Sequence, residues 1–271
     1  MELLKKILSH RFGRAGFLMF LSMVILCYLA PILAPYDPFK INEDLIFSPP
    51  SLEHPFGTDS LGRDLLSRIL YGGRISLSVG FIAVGIALVI GVILGSLAGF
   101  YGGLIDTLIS RFIDIMLCFP TIFLILALIA LFEKPSLFLI MVIIGLTSWM
   151  GPARLIRAQI LSLKEQDFIF FLKSLGISNK RIILKHLIPN ALGPVVVSGT
   201  LGVGTAILVE SALSFLGLGV QPPIPSWGNI LIEAKQAMSI APWVTFFPGL
   251  FIFLTVLAVN FIGEALREHF R

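Results

Sequence analysis

Six stretches of this chain carry no charged residue at all: 15–33, 75–105, 115–132, 135–153, 187–209 and 236–263. Each is near or above the roughly 20 apolar residues that take an α-helix across the hydrocarbon of a bilayer. A water-soluble fold has no use for such runs. The chain is 56% hydrophobic and only 13% charged, a composition that leaves too little polar surface to wet a globule of 271 residues. The expected fold class is therefore an all-α polytopic membrane protein with six transmembrane helices. The first span is expected at 15–35, after a basic lead at 1–14. The other five, at about 75–101, 113–132, 136–153, 191–209 and 243–263, form a core domain over 75–271. Between them lie an external loop at 36–74, a cytoplasmic loop at 154–190 and a second external loop at 210–242. Residues 211–232 are also uncharged, but Pro222, Pro223 and Pro225 argue against a spanning helix there.

The lysines and arginines orient these spans. Six spans place both termini on one side; if that side is the cytoplasm, it holds fourteen of the 20 Lys and Arg residues, with Lys40, Arg63, Arg68, Arg74, Lys134 and Lys235 outside. This is the positive-inside pattern. The net charge of +4 is then a matter of topology and needs no nucleic-acid partner. The lead is amphipathic enough to rest on lipid at the inner surface. Cys27 and Cys118 fall in different spans at opposite depths, which assigns them to packing rather than to a disulfide. The first span has no small-residue cleavage site and reads as retained.

Within the second span, Gly91, Gly95, Gly99 and Gly103 recur every four residues, a spacing that lines one helix face with glycine for close packing against another helix. Ser198, Gly202 and Ala206 repeat this more weakly. Pro120, Gly145 and Gly151-Pro152 are expected kinks. In the first external loop, Leu61, Leu65 and Ile69 predict a short interfacial helix ending at Gly72-Gly73. Arg63, Asp64 and Arg68 there either pair locally or dock an external partner. Asp106, Asp114 and Glu210 sit at span ends, and no acid, lysine or arginine falls mid-span, so an ion-coupled carrier finds no support. There is no G-x-x-x-x-G-K-[ST] phosphate loop, no metal-ligand spacing among the histidines and no nucleophile set. The chain reads as a pathway without an engine.

What power reaches it must come through contact, and the segment best placed for that is 162–190, SLKEQDFIFFLKSLGISNKRIILKHLIPN. Ser162 and Glu165 have capping-box spacing and predict a helix start. Phe168, Phe171, Leu172 and Leu175 form one apolar stripe, and Gly176 is placed to close the helix in the left-handed conformation. Ser178 is the expected cap of a second helix carrying Arg181 and Lys185, which should end near Ile188 because Pro189 follows. The expectation is a bent helix pair, apolar on one side and cationic on the other.

The stretch about Gly176, with Pro189 beyond it, resembles the cytoplasmic signature loop of binding-protein-dependent ATP-binding-cassette importer permeases, E-A-A-x3-G-x9-I-x-L-P. Three further blocks are similar to the dipeptide/oligopeptide/nickel branch, and to its second, C-type subunit: HPFGTDSLGRDLLSRILYGGRISLSVG from His54, ESALSFLGLGVQPPIPSWGNIL from Glu210 and FPGLFIFLTVLAVNFIGEALRE from Phe247. The resemblance implies a type I importer-like permease in the cytoplasmic (inner) membrane, non-catalytic, importing di- or oligopeptides. Nickel-chelate or glutathione import in the same family is the alternative, and a stand-alone carrier or channel the reading from another class. It implies a second homologous permease subunit, two cytoplasmic ATPase subunits that bind the ATP and Mg, an external solute-binding protein, and no cofactor in this chain. By position, Gly176, Ser178, Asn179, Lys180, Arg181, Ile182 and Lys185 are the ATPase-coupling residues. Phe170, Phe171 and Leu172 stand where the family has E-A-A, which makes the docking surface more apolar or turns the helix against the permease itself. Ser198, Thr200 and Asn260 are candidate solute contacts.

Overall fold

The computed structural model describes residues 2–133 and 135–270. The chain folds as α1 (Glu2–Ser9), α2 (Arg11–Tyr28), α3 (Ala30–Leu33), α4 (Leu65–Tyr101), α5 (Gly103–Leu117), α6 (Thr121–Ala130), α7 (Leu137–Ser148), α8 (Met150–Lys164), α9 (Asp167–Ser174), α10 (Asn179–Ile182), α11 (Ile188–Phe215), α12 (Trp227–Ala237) and α13 (Trp243–His269), and no strand is formed among the described residues. Among the described residues four helical segments are long and apolar enough to cross a membrane singly: α2, α4, the continuous run Asn179–Phe215, and α13. Two bent pairs, α5 with α6 at 88° and α7 with α8 at 41°, bring the number to six when each pair counts as one span.

α4 is the axis of the fold and packs against α2, α7, α8 and α11. Its 37 residues reach about 55 Å, well past the ~30 Å of hydrocarbon. The Asp64 carboxylate caps it by accepting from the Ser67 amide at 2.8 Å. The helix does not end at Gly72-Gly73 as the sequence predicts; it runs straight through them. Those glycines are there for proximity: a β-carbon on Gly73 would lie 2.2 Å from the Cys27 sulfur and 2.7 Å from the Trp227 ring, and one on Gly72 would lie 3.2 Å from the Ser226 backbone. Cys27 is indeed a packing residue, whereas Cys118 is exposed at the α5–α6 bend.

Three of the four spaced glycines bring α4 onto α8. A β-carbon on Gly91 would meet the Ala153 amide at 3.0 Å, on Gly95 the Ala153 carbonyl at 2.4 Å and on Gly99 the Arg157 carbonyl at 2.9 Å. Gly103 does something else. It and Gly102 have φ of +53° and +65°, and no atom lies within 4 Å of where their side chains would be. They form the turn between α4 and α5. The expected kink at Pro120 is a full break, since proline supplies no amide donor to continue α5 into α6.

The bent segment at 162–190, an elbow between α8 and α11, departs from expectation at both ends. α8 continues to Lys164, so Ser162 lies inside it and Glu165 is its C-terminal cap residue, not the far half of a capping box. Beyond α10, one turn of π-helix over Ile183–Leu187 leads directly into α11. Pro189 does not stop this helix. It occupies the first turn of the new α-helical run, where a missing amide is tolerated.

One core cluster, built on Leu65, Ile69, Trp227, Ile230, Val244 and Phe251, fills the end where α4 begins. Another, with Phe100, Ile156, Ile160, Ile169, Ile182 and Leu187, fills the opposite end. α1 and the end of α13 meet at that second end: the Lys6 ammonium is 3.0 Å from His269 Nε2, and Phe270 packs on Gly193. Gly95→Ala is expected to lower stability by about 1–3 kcal/mol through backbone overpacking. Gly85→Ala, on the same helix with nothing within 4 Å, should not; thermal unfolding of both variants in detergent checks the difference.

Candidate functional site: a basic elbow joined to a small-residue groove

Gly176 closes α9 as the sequence predicts. Its φ is +72°, its amide donates to the Lys173 carbonyl at 2.9 Å, and the Ile177 amide reaches the Leu172 carbonyl at 3.2 Å. This is the paired closure of a Schellman turn. Space around Gly176 is open, so the requirement for glycine is conformational. Ser178 does begin α10, but through its backbone: its carbonyl accepts from Arg181 and Ile182 and its hydroxyl makes no cap.

The elbow is held by what it buries. Ile169, Ile182 and Leu187 are fully buried against Phe100 of α4, Ile156 and Ile160 of α8, and Ala191 and Val195 of α11. Ile182 is thus an anchor to the permease itself, not a surface contact, which corrects its assignment among the coupling residues. Gly176, Ser178, Asn179, Lys180, Arg181 and Lys185 are exposed. The apolar stripe is not the buried face of α9 either. Phe171 and Leu175 are 64% and 61% exposed and Phe170 is 60% exposed, so two of the residues at the E-A-A positions face outward while the third, Leu172, is half-buried against the core. Lys173 sits among them, its ammonium 5.7 Å from the Phe100 ring and 6.0 Å from the Phe170 ring. Instead of one apolar and one cationic side, the elbow presents a single mixed surface, aromatic and basic.

Beyond this surface, between α4, α7, the first turn of α8 and α11, runs a cavity of about 320 Å³ lined by Ala83, Ala87, Ser148, Ser198, Gly202 and Thr205 among others. Its walls are small because large side chains would fill it. Of the three candidate solute contacts, Ser198 lines this cavity. Thr200 and Asn260 hydrogen-bond back to their own helices, at Val196 and Val256. Asp106 and Asp114 accept from Arg157 and Arg154 respectively, with Arg157 Nη2 2.6 Å from Asp106 Oδ2. These pairs fasten α5 to α8.

At the opposite end the arginines of the loop at 36–74 pair across the molecule. Arg63 reaches Asp59 at 2.8 Å and Glu233 of α12 at 2.8 Å; Arg68 pairs with both Asp59 and, at 2.9 Å, Glu233. Asp64 holds His54 at 2.9 Å. Arg63 and Arg68 are buried; they make the expected local pairing, with Asp59, and through Glu233 also join the loop to α12. Glu210 lies within α11, fully buried, not at its end. Nothing in the local sequence marks these partners, because Glu233 stands 165 or more residues away.

Residues 91–271 match the family described as binding-protein-dependent transport system inner membrane component, and residues 2–50 match the N-terminal transmembrane domain of oligopeptide transport permease C. The chain belongs to the binding-protein-dependent transport permeases. It is 44% identical over 267 residues to the dipeptide transport system permease protein DppC of Alkalihalophilus pseudofirmus, covering 98% of this chain and 88% of the relative. With the oligopeptide permease OppC of Escherichia coli it shares 41% over 266 residues, 97% of this chain and 88% of the relative. With the glutathione permease GsiD of Shigella boydii it shares 43% over 247 residues, 91% and 81%. The fold is also that of a permease in inward-facing structures of the MetNI methionine transporter, with a TM-score of 0.54 at 22% identity over 76% of this chain and 97% of that one. The protein is accordingly a multi-pass permease of the inner membrane.

In this permease Asp59→Ala would leave two buried guanidinium groups short of a partner, and a loss of about 3 kcal/mol is expected. Asp114→Ala, which breaks a half-exposed pair, should cost less than about 1 kcal/mol; chemical or thermal unfolding of the two purified variants separates them.

Proposed function

We propose that this chain is a membrane-spanning subunit of an ATP-driven importer that carries di- or oligopeptides inward, and that 162–190 is where ATPase subunits drive it. The observation that carries the proposal is the build of the elbow. Its inner face is locked by Ile169, Ile182 and Leu187 to the helices that wall the groove, while its outer face is bare, aromatic and basic. A surface of that kind can pass the motion of a docked protein to α4, α8 and α11 as a rigid body, which is how a two-state transporter is biased between its states. The excess of cations at the elbow and the adjacent ends of the chain supports a cytoplasmic position for that end. ATP and Mg belong to the partner subunits, a second homologous permease completes the pathway, and an external binding protein delivers solute at the end where α4 begins. The names of the relatives, dipeptide and oligopeptide permeases, support the substrate class.

Reconstitution into liposomes tests this. Labelled dipeptide is expected to enter only when the second permease, both ATPases, ATP and the binding protein are present; uptake by this chain alone would remove the proposal. The glutathione relative makes labelled glutathione the competing substrate, and its preferential uptake would reassign the cargo while leaving the mechanism. Gly176→Val places a β-branched residue at φ of +72°, which costs at least about 1 kcal/mol. Membrane insertion should persist, while co-purification of the ATPase or ATP-driven uptake falls several-fold.

A further inference from the structure

Glu210 is a carboxylate buried without exposure inside an otherwise apolar helix, a placement that is costly unless its oxygens are satisfied. Three hydroxyls satisfy them. Ser214 donates to Oε1 at 2.7 Å and Ser226 at 2.9 Å, while Ser76 donates to Oε2 at 3.2 Å. Each of these hydroxyls also accepts a backbone amide, one from the loop that follows α11 and two from the first turn of α12. Val220 donates to Ser214 at 3.0 Å, Asn229 to Ser226 at 3.1 Å and Trp227 to Ser76 at 3.2 Å. A carboxylate can only accept, so it turns all three hydroxyl protons toward itself and leaves their lone pairs facing these amides. One charged group thereby orients the start of α12 and ties it to α4 and α11.

The geometry points to a mechanical consequence, which rests on the reading of the elbow given above. We propose that Glu210 is the positioning residue that makes the outer loop move with α11, so that displacement begun at the elbow reaches the external mouth. α11 is one helix from Ile188, next to the elbow, to Phe215, and Glu210 lies near its far end. α12, oriented through Ser226, carries Glu233, which grips Arg63 and Arg68 of the first external loop. The line from elbow to outer surface is therefore α11, Glu210, α12, Glu233 and the Asp59–Arg68 segment. Its joints are charge-assisted hydrogen bonds, fully buried at Glu210 and partly buried at Glu233.

Glu210→Gln tests the joint with little change of shape, because an amide offers one acceptor and two donors and must reverse at least one of the hydroxyls. In the complete importer in liposomes, ATP hydrolysis per assembled complex should persist, while peptide uptake per ATP falls about tenfold, the factor that loss of a single hydrogen bond supplies. Glu210→Asp, which keeps the acceptor character, should recover part of the uptake, and Ser76→Ala, which removes only the α4 arm, should move the ratio in the same direction but less. Unchanged uptake per ATP in Glu210→Gln overturns the proposal, and so does a proportional fall in hydrolysis and uptake, the mark of a role in folding alone. A wild-type complex that moves no peptide sinks the importer reading instead. In that case amide exchange on the isolated chain decides: faster exchange confined to 217–237 in Glu210→Gln supports the joint, and unchanged exchange refutes it.

Discussion

In hydrocarbon no hydrophobic force presses helices together, so their association rests on how closely backbones approach and how well their surfaces fit. Here that approach is made along α4. Gly91, Gly95 and Gly99 let the α8 backbone close to distances at which any β-carbon would collide with a carbonyl or amide. Further toward its start, Gly72 and Gly73 admit Ser226, Cys27 and Trp227 in the same way. With α4 held on both flanks, α11 and α7 take the remaining faces, and the groove is the space their small residues leave unfilled.

A scaffold held by close contact tolerates few polar groups, and those present are used as fasteners. At the elbow end, Asp106–Arg157 and Asp114–Arg154 pin α5 to α8. At the other end, Asp59, Arg63, Arg68 and Glu233 join the loop before α4 to α12, and Glu210 with its serines joins α4, α11 and α12. Networks of this kind are rigid, because breaking a bond in one strands a polar group at high cost, and Arg68 Nε is a buried donor that the Asp59 network leaves without a partner. The molecule is thus braced at both ends, with its more plastic, apolar packing between.

The elbow shows how a short motif is divided between anchoring and contact. An eight-residue helix has too few contacts to be stable alone. Ile169 inserts it into the core while Phe170 and Phe171, its immediate successors, face away. The π-turn then lets the chain pass from α10 into α11 without a break, Pro189 included. The result is a lever that has no hinge of its own on the side of α11.

Much of this was legible in the residues as a string. Charge-free runs announce spans because the cost of a bare charge in lipid is independent of which helix lies next door. Gly176 announces its turn because a left-handed φ excludes most side chains wherever it occurs. The glycine spacing of α4 announced a close partner without naming it. What could not be read is who meets whom. Gly72-Gly73 looked like a helix end and proved to be a contact, Ile182 looked like surface and proved to be anchor, and Glu210 looked terminal and proved to be a hub. Each of these turns on atoms from helices distant in sequence, such as Trp227 against Gly73 or Ser76 against Glu210. Hydropathy and backbone preference belong to the residue and survive in the sequence; the partner of a buried polar group or of a glycine face exists only once the helices have packed.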